Sequence, residues 1–315
     1  MTKLSRLRNP VLCVDIGGTS TKAGVLTEKG DLVLTNEIPT RPTQESYFSN
    51  LCELIAQTRA AARTSLDTNP RQLGLAMAGF LDPNREHLVY NSNLAWLEGF
   101  PLRERLCEIF PDLSVELEVD SNAATMAEYQ LGSGQGSQRF LCITAGTGLG
   151  VGMAIDGSPV RFAYGCLGDI GHIIVQPNGP LCTCGGRGCA EIMVSAPVLA
   201  QHYKSITNRS KETTLRTVIE EAGEGDESAI SILAKAGESL GIAIASMANI
   251  FFPDHIAIAG GLSAAGPLVL EPAECAFRES ASVFARSSVT FTQAKLGAAA
   301  TIIGAAWPYW DEKEL

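Results

Sequence analysis

One imidazole and three thiols fall within eighteen residues of this chain: His172, Cys182, Cys184 and Cys189. The cysteines lie in the run Gly179-Pro-Leu-Cys182-Thr-Cys184-Gly-Gly-Arg-Gly-Cys189-Ala-Glu191. Zn²⁺ takes four nitrogen or sulfur ligands in a tetrahedron, and this set supplies four. Four protein ligands leave no open position, so the expected metal is structural and not catalytic. Cys182 and Cys184 are too close to ligate together from rigid backbone, but Gly179, Gly185, Gly186 and Gly188 permit the turns required. A disulfide is the alternative reading, and a reducing compartment disfavours it.

Two glycine-rich turns offer a different chemistry. Asp15-Ile-Gly17-Gly18-Thr19-Ser-Thr-Lys22 stands between two strand-like runs, and so does Ala145-Gly146-Thr147-Gly148-Leu-Gly150. Without side chains the backbone approaches an anion closely, and successive N–H groups form a concavity that binds phosphate. Asp15 is placed to meet a phosphate-bound Mg²⁺, and Thr19 and Thr147 add hydroxyl donors. There is no Gly-x-x-x-x-Gly-Lys-Ser/Thr, so the P-loop reading fails. A strand follows Gly150, whereas the dinucleotide fingerprint needs a helix N-terminus there. Ordinary hairpins that need glycine are the competing reading for either turn alone.

Asp120 carries the remaining candidate chemistry. It follows the strand-like Val115 to Leu117 and precedes a helical stretch reaching Glu128. A helix N-terminus favours an ionised carboxylate, and a plain N-cap is the alternative. Upstream, Asn91-Ser-Asn93-Leu-Ala-Trp96 offers an amide that both donates and accepts, as a pair of hydroxyl groups would need. Trp96 is read as packing beneath that segment or as core filling.

These residues need strands to hold them. Val11 to Val14 and Ala23 to Leu26 read as strands around the first turn, with a third short strand over Leu32 to Leu34. Glu45 to about Thr64 reads as a helix, and Gln72 to Ala78 as a buried strand. Phe140 to Thr144 and Val151 to Ile155 repeat the strand–turn–strand pattern, which suggests a duplicated core. Ile230, Leu233, Gly237, Leu240, Ile244, Met247 and Phe251 step by three or four, a core-facing helical stripe that Pro253 ends. His255 to Ala259 is expected as a strand turning at Gly260-Gly261, and Gly297 to Trp307 as a terminal helix.

Composition bounds the rest. The chain has 315 residues, 45% of them hydrophobic and 18% charged, enough for a large core and about two compact units. Its 34 acidic against 24 basic residues give a net charge of −10, which argues against nucleic acid or anionic membrane as a partner. No apolar stretch of signal-peptide length follows the first residues, and Gly241 to Phe252 is shorter than a bilayer span. A soluble, cytoplasmic protein is expected. Six of the nine cysteines sit among apolar neighbours and read as buried free thiols.

Asp15-Ile-Gly-Gly-Thr, Thr144-Ala-Gly-Thr-Gly-Leu-Gly and Ile258-Ala-Gly-Gly resemble the two phosphate loops and the adenosine motif of the sugar kinase/hexokinase/actin superfamily. More narrowly, the chain resembles the ROK family of bacterial sugar kinases and sugar-responsive repressors, from Val11 to about Trp307. The resemblance implies an α/β, two-domain, ribonuclease-H-like fold of the actin/hexokinase type, with an interdomain cleft and a zinc loop. The expected domains are 1–118, joined by a C-terminal helix 298–315, and 119–297.

The resemblance also implies roles. Asp120 would be the catalytic base. Asp15, Gly17, Gly18, Thr19, Lys22, Gly146, Thr147, Gly148, Gly260 and Gly261 would hold MgATP. Asn93, Asp120, Asp169, His172 and Glu191 would hold the sugar. The zinc loop matches the family signature at His172, Cys182, Cys184, Cys189 and the following Glu191. Two positions depart from the usual pattern: Val119 stands where an Asn commonly precedes the catalytic Asp, and Asp169 where a Glu is common. The expected activity is transfer of the γ-phosphate of MgATP to the 6-hydroxyl of a hexose, glucose first. Fructose, mannose, allose, N-acetylmannosamine and N-acetylglucosamine stay open as substrates, as does a non-catalytic regulator. Repressors of the family carry a winged-helix domain ahead of this body, and ten residues before the first strand leave no room for one. Members are often dimers, so a homodimer is among the expected states.

Overall fold

The computed structural model describes residues 7–40, 43–207, 212–287 and 289–310. They form two compact units. The first runs to Leu131 and takes in Ser158–Gly168 and the segment from Ala299 onward; the second comprises Gly132–Gly157 and Asp169–Ala298.

In the first unit β1 (Val11–Ile16), β2 (Ser20–Leu26) and β3 (Leu32–Pro39) make an antiparallel meander. β4 (Gln72–Met77) lies parallel to β1. The small hairpin of β5 (Phe80–Leu81) and β6 (Leu88–Tyr90) follows, and β7 (Ser114–Val119) then lies parallel to β4. The sheet order is β3-β2-β1-β4-β7. β1 and β4 are almost wholly buried, as the near-continuous apolar runs of parallel strands require. Tyr47, Phe48, Leu51, Leu54 and Ile55 form the buried stripe of the helix Gln44–Ser65. They share one core with Leu73, Leu75, Leu117 and Val119.

β3 runs five residues past the expected Leu34. Leu34 sits at φ 54° where the β2–β3 register shifts, and the strand continues through Thr35-Asn36-Glu37. That polar run lies exposed and shows no apolar alternation, so periodicity did not reveal it.

The second unit repeats the plan. β8 (Arg139–Ala145) and β9 (Leu149–Ile155) form a hairpin; the two-residue β10 (Ser158–Pro159), after the turn at Asp156-Gly157, belongs to the first unit. β11 (His255–Ala259) is parallel to β8, and β12 (Thr290–Gln293) is parallel to β11. The order β9-β8-β11-β12 corresponds to β2-β1-β4-β7 of the first unit.

The helix Glu227–Phe251 follows the expected stripe. Asp226 caps it by accepting the Ala229 N–H at 2.8 Å, and Phe252 ends it in the left-handed region ahead of Pro253. It is long and apolar enough to cross a membrane by composition, yet Leu233, Leu240, Ile244 and Met247 are fully buried within the unit. A Cβ at Gly241 would meet Ala273 O at 2.2 Å, so glycine lets this helix press onto the helix Pro267–Ser280.

Two expected boundaries change. The terminal segment is not one helix: Ala300–Gly304 is helical, with single 3-10 turns at Gly297–Ala299 and Trp307–Tyr309. Pro308 has no N–H to extend a helix, and 311–315 lie outside the described residues. The helix Asp120–Leu131 belongs with the first unit and not with a segment starting at 119. It packs so closely on Ala300–Gly304 that a Cβ at Gly304 would stand 1.8 Å from Ala123 O.

Candidate active site and metal centre

β1, β4 and β7 run parallel, and Ile16, Met77 and Val119 stand level in them. Gly17, Ala78 and Asp120 therefore leave the sheet at one level, at the carboxyl ends of the strands, where open α/β sheets bind ligands. The first glycine turn closes with the Gly17 N–H donating to Ser20 O at 3.1 Å. Thr40 braces it, donating its hydroxyl to Gly17 O at 2.8 Å and its N–H to Thr19 O at 2.9 Å. Behind it, the buried Thr21 hydroxyl pairs with Thr40 Oγ1 at 3.0 Å and Tyr47 Oη at 2.8 Å. Gly18 and Thr19 are exposed at the tip.

Register aligns Asp15 with Lys22 and Lys22 with Glu37 across three strands. Burial pushes the Asp15 carboxyl up to about 6; Lys22 opposes the shift and Glu37 adds to it. Asp120 opens its helix, and its Oδ1 accepts the Ser121 N–H at 2.6 Å. Burial first, and the Asp15 charge second, push the Asp120 carboxyl up to about 7, against the Ser121 hydrogen bond. Some of its surface still reaches solvent. A carboxylate poised near neutrality is what general-base chemistry uses.

Asn93 adjoins the same turn: a Cβ at Gly18 would lie 2.9 Å from Asn93 Cβ. Asn91 shapes that loop, its Oδ1 accepting the N–H groups of Asn93 at 2.7 Å and Leu94 at 3.1 Å. Asn93 itself is exposed. Trp96 meets Tyr47 edge-on with ring centroids 5.0 Å apart and packs on the core, which favours its core-filling reading. Asp15, Gly17, Gly18, Thr19, Lys22, Asn93 and Asp120 are all carried by the first unit.

In the second unit the second glycine turn closes with the Gly146 N–H donating to Gly148 O at 2.9 Å, and Ala196 N–H donates to Gly146 O at 2.7 Å. Thr147 is exposed at its tip. Gly260, at φ 84°, lies against the end of β8: a Cβ there would meet Ala145 O at 2.3 Å. Gly261 is exposed beside it. Glu191 also reaches this turn. Its Oε2 accepts the Leu149 N–H at 3.0 Å and would lie 2.7 Å from a Cβ at Gly148.

The ligating atoms of His172, Cys182, Cys184 and Cys189 all lie within 4.8 Å of one another. Cys182 Sγ is 3.6 Å from His172 Nδ1, and Cys184 Sγ is 3.6 Å from Cys189 Sγ. A tetrahedral zinc with bonds of about 2.3 Å to sulfur and about 2.0–2.1 Å to nitrogen sets S···N near roughly 3.5 Å and S···S near roughly 3.8 Å. The donor set therefore fits zinc. The Gly186 N–H donates to Cys184 Sγ at 3.4 Å and holds that thiol below its ordinary range. Gly188, at φ 70°, lets the loop pass Gln176, where any Cβ would stand 1.7 Å from the carbonyl oxygen. The other His172 nitrogen, Nε2, faces Asp169 Oδ1 at 3.7 Å. Cys189 directly precedes the helix Ala190–Val194, which bears Glu191.

Sequence reasoning missed two supports. One is the hydroxyl chain from Tyr47 through Thr21 and Thr40 to Gly17. The other is Glu118, a fully buried carboxylate two residues before Asp120. Its signal was the second of two glutamates alternating with Val115, Leu117 and Val119 directly before Asp120.

The two sheets of like strand order, each with a glycine turn after its first strand, define the class. This chain belongs to the ROK family, whose sequence model matches residues 11–311. A glucokinase of Halalkalibacterium halodurans is 32% identical over 309 residues, covering 93% of each chain. A glucokinase of Streptomyces coelicolor is 33% identical over 276 residues, 82% of this chain and 84% of the relative. The crystal structure of a ROK family glucokinase from Streptomyces griseus, in complex with glucose and AMPPNP, matches with a TM-score of 0.82 at 31% identity. That match covers 95% of this chain and 98% of the other.

Proposed function

We propose that this protein is an ATP-dependent hexose kinase that phosphorylates the 6-hydroxyl of glucose. It is a sugar kinase of the ROK family. Asp120 carries the reading: a carboxylate at the end of β7, level with the glycine turn that follows β1, with its acidity tuned to about 7. In the proposed reaction Asp120 accepts the proton of the sugar 6-hydroxyl as that oxygen bonds to the γ-phosphorus. The bond from the γ-phosphorus to the bridging oxygen breaks, and ADP leaves with the electron pair. Phosphoryl transfer has a loose transition state, so positioning and charge stabilisation do most of the work.

The glycine turns at Gly17-Gly18-Thr19 and Gly146-Thr147-Gly148 would supply N–H groups to the phosphates, with Lys22 beside the first. Gly260 and Gly261 would leave room for the adenosine. Mg²⁺, when bound with ATP, neutralises charge on the phosphates, and Asp15 is the carboxylate proposed to face it. Asn93, Asp169, His172 and Glu191 would hold the sugar hydroxyls. Zinc on His172, Cys182, Cys184 and Cys189 would be structural, fixing the helix that bears Glu191.

Val119 bears on the choice of sugar. Its side chain is 3% exposed and packs into the core, so it offers no hydrogen bond to a hydroxyl. Asp169 stands 60% exposed and reaches one methylene less than Glu. The test is coupled ADP release across glucose, fructose, mannose, allose, N-acetylglucosamine and N-acetylmannosamine. Glucose is expected to give the highest kcat/KM. ADP release no faster with any sugar than without one would overturn the kinase assignment.

A further inference from the structure

β7 is the edge of its sheet, with β4 on one side and, among the described residues, no strand on the other. An open edge leaves backbone groups unpaired. Here side chains take up the carbonyls. Arg103 Nε donates to Val115 O at 2.8 Å and Arg85 Nη1 to Leu117 O at 3.4 Å. The same arginines pair with carboxylates of the strand and, for Arg103, with Glu86 between β5 and β6. Arg103 meets Glu86 at 2.8 Å and Glu116 at 3.2 Å; Arg85 meets Glu116 at 3.4 Å and Glu118 at 3.6 Å. Alternating charges thus run along the edge and end on Glu118, two residues short of Asp120.

Glu118 is fully buried, and both its oxygens are engaged. Oε1 accepts the Val119 N–H at 3.0 Å and an Asn122 Nδ2 hydrogen at 2.9 Å. Oε2 accepts from Trp307 Nε1 at 3.2 Å and from the Arg161 guanidinium. Asn122 Nδ2 also donates to Gly165 O at 2.7 Å, so both of its acceptors are set by this network. One carboxylate therefore holds residues on both sides of Asp120 and joins the three chain segments of the first unit. A buried charge left without partners is strongly unfavourable, so this arrangement has little freedom to shift.

We propose that Glu118 is the positioning residue for Asp120: its carboxylate, anchored by Arg161, Arg85 and Trp307, locks the strand-to-helix turn that aims the Asp120 side chain. The inference rests on the kinase reading, in which Asp120 must meet a sugar hydroxyl in line with the γ-phosphate. Misplacement by about 1 Å is enough to cost about 10²-fold in rate.

The test compares Glu118→Gln, Asn122→Ala, Arg161→Met and Arg161→Lys with Arg103→Met, which breaks the same run of charges at its outer end. For each, kcat, Tm and the Kd values for sugar and nucleotide are measured. Glu118→Gln, Asn122→Ala and Arg161→Met are expected to lower kcat by about ten- to a hundredfold, with both Kd values within about threefold. Arg161→Lys keeps a charge at Oε2 and is expected to recover kcat to within about threefold of wild type. Arg103→Met is expected to lower Tm and leave kcat within about twofold. If Glu118→Gln does not fold, Asn122→Ala and the Arg161 pair decide. Turnover in Asn122→Ala and Arg161→Met within about twofold of wild type, or losses no larger than in Arg103→Met at equal loss of Tm, would overturn the inference. A wild type without sugar-dependent turnover would bring down the kinase reading as well, so the two failures are told apart.

Discussion

Glu191 accepts the backbone N–H of Leu149 at 3.0 Å, so the helix that starts after Cys189 and the second glycine turn share a hydrogen bond. The thiol-bearing loop is thereby joined to the second glycine turn. Perturbing either end should be felt at the other.

Metal removal tests this coupling from one side. Elemental analysis of freshly purified protein should find one zinc per chain, released by a strong chelator or by acid, because thiolate ligands must be deprotonated to bind. Release should lower Tm and raise KM for ATP as well as for sugar. Protein free of zinc, or a Cys182–Cys189 disulfide found by mass spectrometry, would refute the assignment.

Two glycine substitutions test it from the other side. Gly148→Ala places a methyl 2.7 Å from Glu191 Oε2, so the carboxylate must move. KM for sugar should rise by about tenfold or more, since one lost charged hydrogen bond is worth roughly 1.5–3 kcal/mol. Gly146→Ala projects into open space and should leave Tm unchanged. It should still raise KM for ATP, because the methyl occupies the space proposed for phosphate. Equal KM values for Gly146→Ala and wild type would remove that turn from the nucleotide site.

Asp120→Asn should lower kcat by about 10²–10⁴-fold while sugar binding, read by calorimetry, persists. Turnover near that of wild type would exclude Asp120 as the base. In the wild type, kcat/KM should fall as pH drops through about 7 and then about 6, because Asp120 and Asp15 must be ionised and burial raises both. An acid limb at the ordinary carboxylate range near 4 would mean that neither group governs the rate.

The same shift makes a stability prediction of opposite sense. Asp120 moves from an ordinary 3.8 in the unfolded chain to about 7 in the native one. Between those values the native state holds a proton that the unfolded state has lost, so stability falls as pH rises through this window. Asp120→Asn removes the penalty. Without nucleotide it should melt higher than wild type by roughly 3 °C or more at about pH 8, with the difference vanishing near about pH 4. A variant that melts lower than wild type at about pH 8 would contradict the buried, raised carboxylate.

The parts whose chemistry is local are legible in the linear chain. Gly17-Gly18 and Gly146-x-Gly148 are turns because flanking strands and missing side chains make them so. His172 and the three cysteines read as a candidate ligand set because four donors of that kind on a glycine-rich loop suit one metal. Asp120 is marked by an apolar strand behind it and a helix ahead. The tertiary structure decided which of these stand together. Ile16, Met77 and Val119 are level only because β1, β4 and β7 pair in one register. Tyr47 reaches the first turn across 26 residues, and Trp307 reaches Glu118 across 189. Spacing along the chain says nothing about such pairs. Burial of the core sets the register and the register sets the neighbours, and so the acidity and aim of Asp120 belong to the folded sheet and not to the segment that carries it.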